Sequence, residues 1–221
     1  MDWTAAWLSF ELASVTTLAL AVLGLPLGAW LARTRSPARF LVEAGVALPL
    51  LLPPTVLGFY LLRFASPTSW LGHAYEQATG SLLPFSFTGI LLASILCNLP
   101  FAVRPFSAAL AAVDQSLVEA SWCLGVSRWT TFWRIVVPLA WPGIATGLIL
   151  TFAHTIGEFG VVLMVGGNIP GVSRTLAISI YDDVQALDYD RANSTALALL
   201  VFSFVVLGVT STLNQGKVRM P

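Results

Sequence analysis

Glu158 is the one charged residue inside the longest apolar runs of this chain, in the stretch Ala153-His154-Thr155-Ile156-Gly157-Glu158-Phe159-Gly160. A carboxylate in lipid-like surroundings marks a functional position by default, because its desolvation is costly. The role it suits is a hydrogen bond or ion pair that fixes a helix, with Arg63 as a candidate partner. His154 is either a ligand or a hydrogen-bonded contact between helices, and a lone histidine is more often the second. Thr55, Asn98 and Thr151, with Thr16 and Thr17, are polar positions in apolar runs. They could offer weak donors along a path without trapping an ion. No Ser, His or Asp falls at nucleophile and base spacing, so no catalytic residue is expected. Cys97 and Cys123 have no partners at metal-ligand spacing, so neither a metal site nor a disulfide framework is expected. Lys217, the only lysine, is followed by Val218. A phosphate-binding loop needs Lys followed by Ser or Thr after a Gly-rich turn, so this chain is expected to bind no nucleotide.

The elements that must position these residues are membrane helices. Of 221 residues 57% are hydrophobic and 10% charged, against about a quarter charged in soluble domains. At about 20 residues per span the length holds no large soluble domain besides. The sequence predicts an all-α polytopic membrane protein, a single domain over 1–221 with five spans at about 12–32, 44–62, 83–103, 142–165 and 195–213. Pro26, Pro49, Pro53, Pro54 and Pro100 fall inside them, where each removes a backbone donor, as suits helices lining a path. Lys and Arg stay in short cytoplasmic loops. With the N-terminus outside, the inner segments hold Arg33, Arg35, Arg39, Arg104, Arg128, Arg134, Lys217 and Arg219, and the outer ones hold Arg63, Arg174 and Arg191. N-out and C-in is the orientation this implies. The net charge of zero exerts no bulk pull on nucleic acid.

The connection at about 114–138 is not lipid-like. Leu117, Ala120 and Leu124, then Trp129, Phe132 and Trp133, recur at helical spacing on either side of Gly125. Asp114 and Ser127 are candidate N-caps, and Gly accepts the left-handed conformation that ends a helix. Two short helices joined at Gly125 are the expectation. They could lie on the membrane as an amphipathic segment or dock into another protein.

The order of residues here is similar to the Glu-Ala-Ala loop of ATP-binding cassette importer permeases. Glu119-Ala120-Ser121 is followed after three residues by Gly125, and after nine more by Ile135-Val136-Val137-Pro138. Ser121 and Val137 depart from the family's Ala and Leu, both small changes. The resemblance implies that the loop is a coupling helix seated in a groove of a separate ATPase subunit, which binds the ATP and Mg. Glu119 would anchor or cap the helix, Ala120 and Ser121 would permit close packing, Gly125 would make the turn, and Pro138 closes the motif. It further implies a homodimer facing two ATPases in the bacterial inner membrane.

Gly157-Glu158-Phe159-Gly160, Asn168-Ile169-Pro170-Gly171, Arg174-Thr175-Leu176 and the Pro-rich run Leu48 to Gly58 resemble the permeases that import molybdate, tungstate or sulfate, the molybdate group most. That implies transport of a tetrahedral oxyanion delivered by a periplasmic or extracytoplasmic binding protein, with Thr55, Asn98, Thr151, His154 and Glu158 as gate or pathway candidates. Tungstate and sulfate remain alternatives. An ion-gradient-driven transporter would show inverted repeats and broken helices near the midplane, and the sequence offers no sign of either.

Overall fold

The computed structural model describes residues 2–215. Lys217 and Arg219, two of the basic residues behind the expected orientation, lie outside the described residues. All regular structure among the described residues is helical. The order is α1 (Trp3–Arg33), α2 (Ala38–Leu51), α3 (Pro54–Ala65), α4 (Trp70–Thr79), α5 (Phe87–Ala111), α6 (Gln115–Cys123), α7 (Arg128–Thr131), a π turn (Phe132–Val136), α8 (Val137–Gly157), α9 (Gly160–Gly166), α10 (Leu176–Gln185) and α11 (Tyr189–Gln215). Four helices are long and apolar enough to cross a membrane, and the bent pair α2 and α3 makes up to five.

Helix α1 starts well before the charge-free run because Asp2 caps it, accepting hydrogen bonds from the amides of Thr4 (3.0 Å) and Ala5 (3.1 Å). The core lies where α1, α5 and α8 meet. Phe106 of α5, fully buried, is wedged between Gly28 of α1 and Gly147 of α8. A Cβ at Gly28 would fall 2.9 Å from Phe106 Cβ, and one at Gly147 would fall 2.8 Å from Phe106 Cε1. Small residues let apolar helices approach closely where no hydrophobic force drives them together in lipid. Leu20, Ala102, Val136 and Ile144 complete this cluster, and Val118 joins it from α6.

Three expectations are corrected here. The run 44–62 is not one continuous helix. Pro53 and Pro54 lack amide donors and force the residue before each into extended backbone. Leu52 accordingly sits at φ −79°, ψ 137°, Pro53 at φ −54°, ψ 137°, and α2 and α3 meet at 112°. The run 142–165 is also broken, with Glu158 at ψ 125° and Phe159 outside the helical region. Broken helices are therefore present. The two breaks touch, since a Cβ on Gly160 would lie 2.7 Å from Pro54 Cβ. Likewise, the segment after Gly125 is not a separate short helix. It continues from Arg128 to Gly157 as one helix of 30 residues. Pro138 would crowd the carbonyl four residues back in regular α geometry, and the wider π turn just before it absorbs that conflict.

Candidate functional site: a docking turn and a gate cluster

The docking turn is built from local sequence. Asp114 caps α6 by accepting from the Ser116 amide (2.9 Å), and this bond holds its exposed carboxyl below the usual carboxylate range. Gly125 adopts φ +79°, a left-handed conformation that costs a side-chain-bearing residue about 1–2 kcal/mol. The Gly125 amide donates to the Trp122 carbonyl (2.9 Å), closing the turn. Ser127 then caps the next helix, accepting from the Thr130 amide (3.2 Å). Glu119, Ala120 and Gly125 face outward, and Pro138 is exposed on the first turn of α8. Glu119 is held by Gln115, whose Nε2 donates to Oε1 (3.2 Å). Ser121 points the other way. Its hydroxyl is buried against Thr131 Oγ1 (2.9 Å), tying α6 to α7. Thr131 is a residue the sequence pattern did not single out.

The gate cluster gathers at the two helix breaks. A cavity of about 220 Å³ is lined by Pro49, Pro54, Cys97, Phe101, His154 and Glu158 among others. Asn98, fully buried, donates from Nδ2 to the Ser94 carbonyl (2.8 Å), which turns Oδ1 toward His154 Nδ1 (3.1 Å). Glu158 Oε2 is 3.6 Å from the same nitrogen, with its side chain 7% exposed. The Asn98 amide oxygen can only accept, so in this contact His154 Nδ1 carries the proton. Glu158 Oε2 itself makes no hydrogen bond. Phe101, also missed in the sequence, stacks on the imidazole with ring centres 3.9 Å apart. A His and an aromatic on neighbouring helices carry no spacing signal that could have revealed it.

Three of the five gate candidates, Asn98, His154 and Glu158, are thus brought together. Thr151 is not among them. It is fully buried and donates to its own helix at the Gly147 carbonyl (2.8 Å). Thr55 is exposed on the first turn of α3. Arg63, the candidate partner of Glu158, instead lines a separate cavity with Tyr60, Ser66 and Trp70. It sits nine residues beyond Pro54, about 13 Å along the axis of α3 from the break.

The Asn168 to Arg174 motif forms a lock. Arg174 Nε donates to Asn168 Oδ1 (2.7 Å), Asn168 Nδ2 donates to both Asp182 oxygens (2.7 Å), and Arg174 lies 3.4 Å from Asp182. Ser9 accepts from the Leu176 amide (2.8 Å) and pins this loop to α1.

Comparison with known proteins agrees with this geometry. The chain is 48% identical to the molybdenum transport system permease protein ModB of Azotobacter vinelandii, over 93% of this chain and 91% of that protein. It is 36% identical to the probable sulfate transport system permease protein cysT of Chlorokybus atmophyticus, over 86% of this chain and 68% of that protein. In fold it is similar to a bacterial alginate ABC transporter solved in complex with an alginate-bound periplasmic protein. That match has a TM-score of 0.76 at 17% identity and covers 98% of this chain and 79% of that one, so the architecture is that of a type I importer permease. Residues 24–217 match a family described as the binding-protein-dependent transport system inner membrane component. With the docking turn, the broken spans and both kinds of relative in agreement, the chain belongs to that family of membrane permeases.

Proposed function

We propose that this chain is the membrane permease of an ATP-driven importer of tetrahedral oxyanions, with molybdate as the substrate. The observation that carries the reading is the 48% identity, along nearly the whole chain, to a molybdenum permease. Sulfate is the second reading, favoured by the 36% identity to a sulfate permease. Both ions are tetrahedral dianions, so competition separates them. Molybdate uptake into vesicles containing the permease, its ATPase and its binding protein should resist excess sulfate, and uptake abolished by equimolar sulfate would assign sulfate instead.

Two copies of the chain face two ATPase subunits that bind ATP and Mg, and a periplasmic protein delivers the anion. Helix α2 supports the dimer, because only Val46 is buried along it while Phe40, Leu41 and Leu51 stay open. The N-terminus lies outside and the C-terminus in the cytoplasm, in keeping with Arg33, Arg35, Arg39, Arg104, Arg128 and Arg134 in the segments that the sequence assigns to the inner side.

Glu119, Ala120 and Gly125 present the docking turn to the ATPase, with Ser121 bracing it from within and Pro138 fixing the helix that leaves it. As nucleotide draws the ATPases together, the turns move with them and the gate opens outward; hydrolysis resets it. The turn is tested by co-purification, since Gly125→Trp should lose the ATPase while the bundle stays folded, and retained binding would remove the docking claim.

At the gate, Asn98, His154 and Glu158 join α5 to the end of α8. Glu158 repels a dianion, so its work is positional. Replacing it with Gln should weaken assembly or gating and leave anion preference unchanged. An assembled, ATP-responsive Glu158→Gln variant with altered preference would overturn that role. Thr55 and Thr151 contribute to the path less directly, one at its rim and the other by shaping α8.

A further inference from the structure

Arg104 lies in the interior of α5, seven residues before its end at Ala111, about 10 Å along the axis. Among the described residues it has no carboxylate partner and no hydrogen bond. Arg39, Arg174 and Arg191 are paired with carboxylates, and Arg33 and Arg128 lie over aromatic rings. The guanidinium of Arg104 opens into a cavity of about 360 Å³ between α2 and α5, shared with Arg39, Glu43, Val46, Ser107 and Ala108. Two guanidinium groups against one carboxylate leave this cavity one positive charge in excess.

The position of the cavity says what it is for. The gate cavity uses Pro49 of α2 with Cys97 and Phe101 of α5, and the Arg104 cavity uses Arg39, Glu43 and Val46 of α2 with Arg104, Ala108 and Ala111 of α5. Along each helix these residues follow at steps of three and four, which is one helix face. The two cavities are therefore consecutive stations on a single α2–α5 groove, with Arg104 about 9 Å beyond Asn98 along α5.

We infer that the α2–α5 groove holds a second site for a tetrahedral oxyanion group, gripped by Arg104 and Ser107. The fork of a guanidinium matches two oxygens of such an anion. The Ser107 hydroxyl, one turn on and unbonded among the described residues, supplies a further donor. Arg39 is a reserve. Its pair with Glu43 (2.8 Å) is half-exposed on both sides, and giving up such a pair costs little. A single permanent cation in a partly open cavity binds loosely enough for the ion to move on. Because the anion is identified as cargo, this inference rests on the transport reading. The same chemistry would also accept the phosphate of a lipid headgroup.

The test labels the Ala108→Cys variant, whose new thiol stands exposed in the cavity wall, with a neutral maleimide on a Cys123→Ser background in phospholipid-free dodecyl maltoside micelles. Molybdate at about ten times its dissociation constant should slow labelling about tenfold, while chloride at equal ionic strength should not. Slowing that appears in phosphatidylglycerol vesicles without added anion assigns the site to the lipid headgroup rather than the cargo. Under either arm Arg104→Gln must abolish the protection, and Arg104→Lys should keep only part of it. Labelling that no oxyanion or headgroup slows, or protection that survives Arg104→Gln, overturns the site. An assembly that imports molybdate while the Ala108→Cys variant labels at one unchanging rate overturns this inference alone. A protected site in an assembly that imports no oxyanion overturns the transport reading alone.

Discussion

The docking turn and the gate cluster are built on opposite plans. In the turn, the longest side-chain tie, Ser121 to Thr131, spans ten residues, and the caps at Asp114 and Ser127 reach only two or three. In the gate, Asn98 and His154 are 56 residues apart, and the cavity exists only once α5, α8 and the α2–α3 elbow have packed. The turn takes its polar ties from nearby sequence and reaches the bundle core through Val118. The gate has no geometry of its own and changes whenever the bundle does. A docking element and a gate need those respective properties.

Substitutions can break that contrast. The largest effect is expected at Asn98→Ala, which strands the His154 proton and leaves a void, at about 1–3 kcal/mol. Thermal unfolding in detergent should show the loss and transport should fall, while ATPase co-purification persists. Gly125→Val comes next, at about 1–2 kcal/mol of local backbone strain. It should cost ATPase binding and lower the unfolding midpoint by a few degrees, and Gly125→Asn, which tolerates that conformation, should restore both. Ser121→Ala and Thr131→Ala should each cost about 1 kcal/mol and loosen ATP hydrolysis from transport. The double variant should be no worse than Thr131→Ala alone, because Thr131 Oγ1 makes both the shared bond and one to the Ser127 carbonyl (3.0 Å); additive losses would show that the two hydroxyls do not act together.

The smallest effect is a pH dependence at Asp114. Its folded carboxyl lies below the unfolded value, so its stabilisation is full above about pH 4 and is lost as the pH falls through the folded value. Hydrogen exchange of the α6 amides should quicken there relative to Asp114→Asn, which caps without titrating. Equal exchange in the two proteins at every pH would deny the cap this role.

The same division explains what the residues disclosed in advance. Asp114, Gly125 and Ser127 were legible because caps and left-handed turns are set within a few positions of sequence. The helical class and the approximate spans followed from hydropathy. The elbow at Pro53 and Pro54 was legible as a kink, but its angle was not, since that depends on what α3 packs against. Arg63 looked like the counterpart of Glu158 because both were assigned to the outer ends of their spans, but α3 carries Arg63 nine residues beyond Pro54. Phe101 against His154, and the outward or inward facing of Ala120 and Ser121, depend on rotations about helix axes that composition does not record. For His154 the π turn at 132–136 is one cause, because an extra residue in one turn shifts the phase of everything after it.

The uninterrupted run from Arg128 to Gly157 makes Ser127 and Glu158 the two ends of one lever about 45 Å long. A tilt of about 5° imposed at the ATPase end would displace the far end by about 4 Å, more than the 3.1 Å that joins His154 to Asn98. No relay of side chains is needed to carry the signal. On the proposed reading, a small rotation at the docking end would break a hydrogen bond at the other, and the stiffness of a single helix would set how faithfully the two are geared.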